Sequence, residues 1–377
     1  MTNEETKQWA EQVFEKIDEK LQVEVKRVGD KIPYVPDKTT GRYQEDKGET
    51  DPVWWTNGFW AGMLWQMYHA TDNDIYKKAA ESNEETLDKA FDIYTGLHHD
   101  VGFMWLHTAV ANYRLTGNER SKARGLHAAH LLAGRYNPRG KFIRSWNRDR
   151  AGWVIIDSML NIPLLYWAQE TIDDPRFGYV AKDHADKVMQ DIVRADGSVN
   201  HIGVFDPTNG DLLETPAGQG YASGSSWSRG QAWAIYGFAL SYLHTGKKEY
   251  LEVAKKVSHY FISEVAKTGW VPLVDFRAPK KPVMWDTSAG MCAACGFLEI
   301  AKHVPDYEKD LYTDAAVNIL KATFEKHGIK DLEKDGLIDH ATGSYHDERW
   351  TEVPIIYSDY YFVEAILRLL DKDFLIW

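Results

Sequence analysis

The sequence predicts an all-α fold, an (α/α)6 barrel in which six helical hairpins close into a ring. Three observations carry this expectation. First, a polar or carboxylate-bearing cluster opens an apolar, helix-like stretch six times, centred on Asn57, Asp100, Asp157, Arg229, Asp286 and Asp359. Second, the spacings of 43, 57, 72, 57 and 73 residues each leave room for one hairpin. Third, a break signature follows the apolar stretches, so the period repeats at two points of each unit.

Taken in order, Glu4–Val28 reads as the first outer helix. Trp55-Thr-Asn-Gly-Phe-Trp60 opens the first inner helix, which breaks at Tyr68-His-Ala-Thr-Asp-Asn-Asp-Ile-Tyr76. The second runs from His98-His-Asp-Val-Gly-Phe103 to Tyr113-Arg-Leu-Thr-Gly-Asn-Glu119. The third runs from Ile155-Ile-Asp-Ser-Met-Leu160 to Trp167-Ala-Gln-Glu-Thr-Ile-Asp-Asp-Pro175. The fourth runs from Trp227-Ser-Arg-Gly-Gln-Ala-Trp233 to Tyr242-Leu-His-Thr-Gly-Lys-Lys-Glu-Tyr250. The fifth starts at Trp285-Asp-Thr-Ser-Ala-Gly290 and ends in a degenerate copy, Ile300-Ala-Lys-His-Val-Pro-Asp-Tyr307. Tyr357-Ser-Asp-Tyr-Tyr-Phe362 opens the sixth. Each break supplies Thr, Gly, Asp or Pro and leads into an amphipathic segment such as Tyr250-Leu-Glu-Val-Ala-Lys-Lys-Val257. The apolar member of each pair belongs inside and the charged member outside.

A closed ring needs no polar capping repeats, which favours it over an open solenoid. The two longer intervals hold loop material at 196–226 and 329–357, with a short hairpin expected in Ser198–Glu214. No linker interrupts the repeat, so one domain over residues 1–377 is expected. Six polar helix starts then meet at one end of the ring, where a pocket belongs.

Composition narrows the function. Hydrophobic residues make up 44% of the 377, and no apolar run reaches the roughly 18 residues that a membrane span needs. The start, Met1-Thr-Asn-Glu-Glu-Thr-Lys7, is polar and acidic, so no secretory signal is expected. Two cysteines, Cys292 and Cys295, sit in an apolar segment and read as reduced packing thiols of a cytoplasmic protein. A net charge of −12 argues against nucleic acid or an anionic membrane as partner. The 15 Trp and 20 Tyr are mostly core, yet several stand at the helix starts, and aromatic-rich polar pockets suit the C–H faces of sugars.

Asp157 lies between Trp153-Val-Ile-Ile156 and Met159-Leu160, and burial there raises a carboxyl pKa into the range of a general acid. The alternative is a plain N-cap. Asp100 follows His98 and His99, and a second acid beside Asp157 splits the two pKa values. His-His-Asp also invites a metal reading, but adjacent residues point apart and no spaced His partner appears. Asp286 and Asp359 read as caps. Arg229 at a helix start suits a substrate carboxylate or, equally, a salt bridge to a neighbouring acid. The glycine-bearing Thr215–Gly224 reads as a flexible pocket wall, not as a phosphate loop. Ser225 and Ser226 lack a visible His-Asp partner.

With these motifs in this order over about Trp55 to Leu370, the chain resembles the unsaturated glucuronyl hydrolases, family 88 of the glycoside hydrolases. The joint presence of His98-His-Asp100 and Arg229-Gly-Gln-Ala-Trp233 is what makes the likeness specific. The resemblance implies an (α/α)6 barrel, with Asp157 as general acid and base and Asp100 assisting. It also implies that Trp55, His99, Trp146, His201, Gln219, Arg229 and Trp233 line a sugar site. Members of that family often carry Asp where this chain has Asn57. The implied partner is a di- or oligosaccharide ending in a 4,5-unsaturated uronic acid, with no metal or organic cofactor. Two other readings are an unsaturated rhamnogalacturonyl hydrolase acting on pectin fragments and a non-catalytic saccharide-binding toroid.

Overall fold

The computed structural model describes residues 3–377. Met1 and Thr2, which begin the polar start weighed above, lie outside the described residues. Six outer helices, Asn3–Val28, Asp74–Thr86, Glu119–Ala133, Pro175–Asp191, Lys248–Val265 and Asp306–His327, surround six inner ones. The inner helices are Phe59–Thr71, Val101–Thr116, Pro163–Ile172, Ser228–Thr245, Thr287–Ala301 and Ile356–Leu369. This is the (α/α)6 barrel. The ring closes where the last inner helix meets the first: Trp55 stacks on Tyr357 with ring centres 5.1 Å apart. No helix among the described residues is long and apolar enough to cross a membrane.

The repeated break signature has a physical basis. Each of the first four inner helices ends on a left-handed residue, Asp72, Gly117, Asp173 or Gly246, whose N–H returns to a carbonyl of the last turn. In three of them a threonine hydroxyl also donates to the carbonyl four residues back: Thr71 to Met67, Thr116 to Asn112 and Thr245 to Ser241. The next residue then caps the outer helix, as Asn73, Asn118 and Asp174 do by accepting backbone N–H bonds.

Loops between hairpins carry the strands. Ile202–Phe205 and Leu212–Glu214 pair as the expected hairpin, and Trp153–Ile155 adds an antiparallel strand with Trp153 opposite Val204 and Ile155 opposite Ile202. That third strand was not expected. It runs directly into the 3-10 turn Ile156–Leu160 that bears Asp157, and the Ile156 N–H donates to the His201 carbonyl at 3.0 Å. The second inner helix also departs from a plain α-helix, with a π segment over Leu106–Val110. His107 in that segment packs on Phe59, Tyr360 and Trp377 at the ring's centre.

Two glycines set how closely the helix starts meet. A Cβ on Gly58 would lie 2.3 Å from the Phe103 carbonyl oxygen, and one on Gly102 would lie 2.4 Å from the Asn161 Cα. Only glycine allows these approaches, so the first three starts lock edge to edge. Cys292 and Cys295 are buried free thiols, as expected of packing residues.

Candidate active site

The inner helix starts surround a cavity of about 330 Å³. It is lined by Trp55, Asp100, Trp146, Asp157, Gln219, Arg229 and Trp233, seven of the nine residues expected at the site. His99 and His201 stand behind the lining and bond to it. Trp54, His98, Ile155 and Trp227 line it as well. Trp54 and Trp227 were visible in the sequence as aromatics within or beside quoted clusters but carried no assignment.

His99, fully buried, joins the two carboxyls. Its Nδ1 lies 2.9 Å from the Ser145 carbonyl, and its Nε2 lies 2.8 Å from Asp157 Oδ1 and 3.3 Å from Asp100 Oδ1. A carbonyl only accepts, so Nδ1 carries a hydrogen. The contact between Nε2 and Asp157 therefore holds one proton, on either the imidazole or the carboxyl.

The two acids are not equivalent. Burial pushes the Asp157 pKa up, the Asp100 charge adds to this, and His99 opposes it without reversing it. Burial acts on Asp100 as well. There the His99 and His98 interactions and the Asn161 amide outweigh it, and the carboxyl is held below its ordinary value. His98 Nδ1 lies 3.2 Å from Asp100 Oδ2, and Asn161 Nδ2 donates to Asp100 Oδ1 at 3.2 Å. Burial disfavours the His99 cation, but the two carboxylates prevail and raise its pKa. The site thus keeps a proton on or beside Asp157 and a negative charge on Asp100.

The capping alternative for Asp157 is not what the structure shows. Asp157 is the second residue of its 3-10 turn and makes no cap bond. Asp286 and Asp359 also depart from their expected capping roles. Asp286 Oδ2 accepts from Arg229 Nη1 at 2.7 Å, while its Oδ1 accepts from Ser288 Oγ at 2.5 Å. Asp359 lies inside the helix Ile356–Leu369 and accepts the Ile338 N–H at 2.9 Å. Asn57 is buried and turned from the cavity, its amide holding the carbonyls of Asp51 and Pro52.

For Arg229 the structure shows the salt bridge. The guanidinium is 1% exposed, is paired with Asp286, and donates to the Thr342 and Gly343 carbonyls at 2.7 and 2.6 Å. It stacks 4.6 Å from the Trp227 ring centre and 5.1 Å from Tyr357. Its charge is spent before a substrate arrives, so it stiffens the wall and lends a positive field. The 215–224 wall is tied down as well: Gln219 Nε2 donates to the Gly343 carbonyl at 2.5 Å, and Tyr221 N to Asp275 at 3.0 Å.

Buried polar atoms around the cavity without a hydrogen-bond partner among the described residues include Trp54 Nε1, Trp227 Nε1 and His201 Nε2. The Gln219 N–H donates to His201 Nδ1 at 2.9 Å, closer than the Ala217 carbonyl at 3.3 Å, so Nδ1 accepts and the ring hydrogen lies on Nε2; burial lowers the His201 pKa to about 3. His201 is therefore a neutral donor, 4.2 Å from the Trp227 ring. Such unmet donors suit a ligand rich in oxygen acceptors. As for metal, His98, His99 and Asp100 bring one ligand atom each within 4.8 Å of one another, but both His99 nitrogens are already bonded. That donor set does not fit a cation without breaking the Asp157 contact.

The sequence model of Glycosyl Hydrolase Family 88 matches residues 30–269. The unsaturated glucuronyl hydrolase of Bacillus sp. (strain GL1) is 36% identical over 356 residues, 92% of each chain. The unsaturated chondroitin disaccharide hydrolase of Streptococcus pyogenes serotype M1 is 33% identical over 84% of this chain and 82% of its own. The crystal structure of the unsaturated glucuronyl hydrolase from Streptococcus agalactiae is similar with a TM-score of 0.90 and 30% identity, covering 100% of this chain and 94% of that one. On a matched segment of more than half its length and on relatives similar along most of it, the chain belongs to glycosyl hydrolase family 88.

Proposed function

We propose that the protein removes a 4,5-unsaturated glucuronic acid from the non-reducing end of short, lyase-generated saccharides of glycosaminoglycan type, by adding water across the C4=C5 vinyl ether. The observation that carries this reading is the split pair of carboxyls joined through His99. Hydration of a vinyl ether needs one acid to deliver a proton to carbon and one anion to face the cation that results. The names of the relatives, an unsaturated glucuronyl hydrolase and an unsaturated chondroitin disaccharide hydrolase, support the substrate class.

Asp157 gives its proton to C4, and the C4=C5 electron pair forms the new C–H bond. Positive charge develops at C5 and its ring oxygen, which the Asp100 carboxylate stabilises in a site of low dielectric. Water then bonds to C5 and returns its proton to Asp157. The hemiketal opens and the neighbouring sugar leaves. This is addition to carbon rather than displacement at the anomeric centre, so the carboxylate spacing that separates retaining from inverting enzymes does not govern it.

Trp55, Trp146 and Trp233 supply flat walls for the sugar, Trp227 Nε1–H offers a donor to its oxygens, and His201 supports Gln219 from behind. Gln219 and Arg229 hold the wall between them. No step calls for a metal or an organic cofactor. The net charge of −12 disfavours nucleic acid and anionic membrane as partners. The two buried, unpaired thiols support a reducing, cytoplasmic setting.

Reaction of an unsaturated chondroitin-type disaccharide in D2O enriched in 18O-water tests the chemistry. Loss of ultraviolet absorbance with deuterium at C4 and 18O at C5 is expected. Incorporation of 18O at the anomeric carbon alone, or turnover restricted to unsaturated pectin fragments, overturns the mechanism or the substrate class.

A further inference from the structure

Asp100 occupies the N-cap position of the helix Val101–Trp105, and an aspartate there normally turns its carboxylate onto its own helix, accepting the N–H of the second or third residue. Here it does not. Asp100 has φ −73° and ψ 6°, away from the extended geometry of a capping residue, and makes no cap bond. The open N–H of the third helical residue, Phe103, donates instead to Asn161 Oδ1 at 2.8 Å, across the interface between two hairpins.

The same amide completes two further bonds. Asn161 Nδ2 donates to Asp100 Oδ1 and to the Asp157 carbonyl, both at 3.2 Å. Because the Phe103 N–H requires an acceptor, the oxygen of the amide faces it and the nitrogen faces the acids, with no freedom to flip. Asn161 is fully buried, and its backbone sits where a Cβ on Gly102 would collide. One side chain thus caps the helix of one acid, holds the backbone of the other, and donates to the carboxylate that stays charged.

We propose that Asn161 is a positioning residue for the reaction: its oxygen caps the helix that Asp100 opens, so the Asp100 carboxylate is free of its own backbone, and its nitrogen donates to that carboxylate and holds it toward the sugar as an anion. The charged and titratable groups around Asp100 are His98, His99, Asp157 and Arg135, and none of them meets the Phe103 N–H. Without Asn161 the Phe103 N–H is left open, and the carboxylate at the N-cap position turns onto it and away from the cavity. The inference rests on the function proposed above for its kinetic consequence only.

The test is Asn161→Asp, which keeps the shape and the acceptor for Phe103 but replaces the donor facing Asp100 with an oxygen. Carbon-13 NMR of labelled aspartate carboxyls, without substrate, is expected to show Asp100 titrating at higher pH than in the parent protein. On an unsaturated disaccharide, kcat is expected to fall by about 10-fold or more, the acid limb of kcat/KM to move to higher pH, and KM to stay within about 3-fold. In an Asp100→Asn background the same substitution is expected to cost clearly less than in the parent, because only the bond to the Asp157 carbonyl is then lost. If Asn161→Asp melts below the assay temperature, Asn161→Ser, with room for a water in place of the amide, takes its place. An unchanged Asp100 titration, or an equal loss in both backgrounds, overturns the proposal. The titration uses no substrate, so it stands apart from any failure of the substrate assignment.

Discussion

The two ends of the barrel handle buried charge in opposite ways. At the far end, where the inner helices finish, Arg368 donates to Glu299 at 2.6 Å, to Glu364 at 3.0 Å and to the Tyr236 hydroxyl at 2.6 Å. The Trp377 indole N–H completes Glu364 at 3.0 Å, and His303 meets Glu299 at 2.8 Å. Burial alone would raise the Glu299 pKa, but His303 and Arg368 hold it well below the ordinary value. At the mouth, Asp157 has His99 and a weaker pull from His98 against burial and a second acid, and Trp54 Nε1 and Trp227 Nε1 nearby have no partner. Where every charge is answered the ring is held together. Where one is left in deficit, a proton is held at the cavity, as the proposed chemistry requires.

The largest effect expected at the mouth comes from Asp157→Asn. It removes the acid and is expected to lower kcat on an unsaturated disaccharide by about 10²–10⁴-fold while leaving the melting temperature near the parent value. At the far end the same kind of change does the reverse. Arg368→Met strands two buried carboxylates and is expected to cost about 3–5 kcal/mol in denaturant unfolding, with kcat per folded molecule retained. If Arg368→Met instead abolished turnover without destabilising the chain, the division between the ends would fail.

Smaller effects sharpen the contrast. Trp227→Phe removes one unmet donor and keeps the ring that stacks on Arg229. A KM increase of about 3- to 10-fold with kcat little changed is expected, corresponding to one hydrogen bond of about 0.5–1.5 kcal/mol. The smallest concerns a third buried group between the outer helix Asn3–Val28 and the last inner helix. Burial pushes Glu24 up to about 8 and Asp359 up to about 7. Groups raised in the folded state contribute stability that is complete below the unfolded carboxylate pKa and is lost as pH rises through the folded values. The melting temperature is therefore expected to fall as pH rises from about 4 to about 8 and to level off above that, and to fall less steeply in Glu24→Gln. An equally steep fall in that variant removes Glu24 from the account.

Much of this contrast was legible in the sequence, for reasons that can be named. The hairpin count follows from local signals, since the Thr71, Thr116 and Thr245 hydroxyls and the left-handed Asp72, Gly117, Asp173 and Gly246 act within their own helix ends. Asp157 stands out in the sequence because an acid between apolar runs is unusual, and Asp100 because it follows two histidines. What escaped depends on partners far apart in sequence. Trp153-Val-Ile reads as the lead into a helix until it pairs with residues 202–204. Arg229 could be told from a substrate ligand only once Asp286, 57 residues on, was placed beside it. Asn161 sits one helical turn after Asp157, a spacing visible in the sequence, but its bond to Phe103 spans 58 residues and left no local mark. The π segment at Leu106–Val110 follows from packing at the ring's centre rather than from composition.

The central claim is that the mouth keeps a proton on or beside Asp157 while Asp100 is ionised, and the most direct measurement of it is kcat/KM against pH for the hydration of an unsaturated glucuronyl disaccharide. A bell is predicted, with the acid limb below the ordinary aspartate range, set by Asp100, and the alkaline limb above that range, set by Asp157. A profile that falls through the ordinary aspartate range as pH rises, or one with no alkaline limb at all, would contradict it.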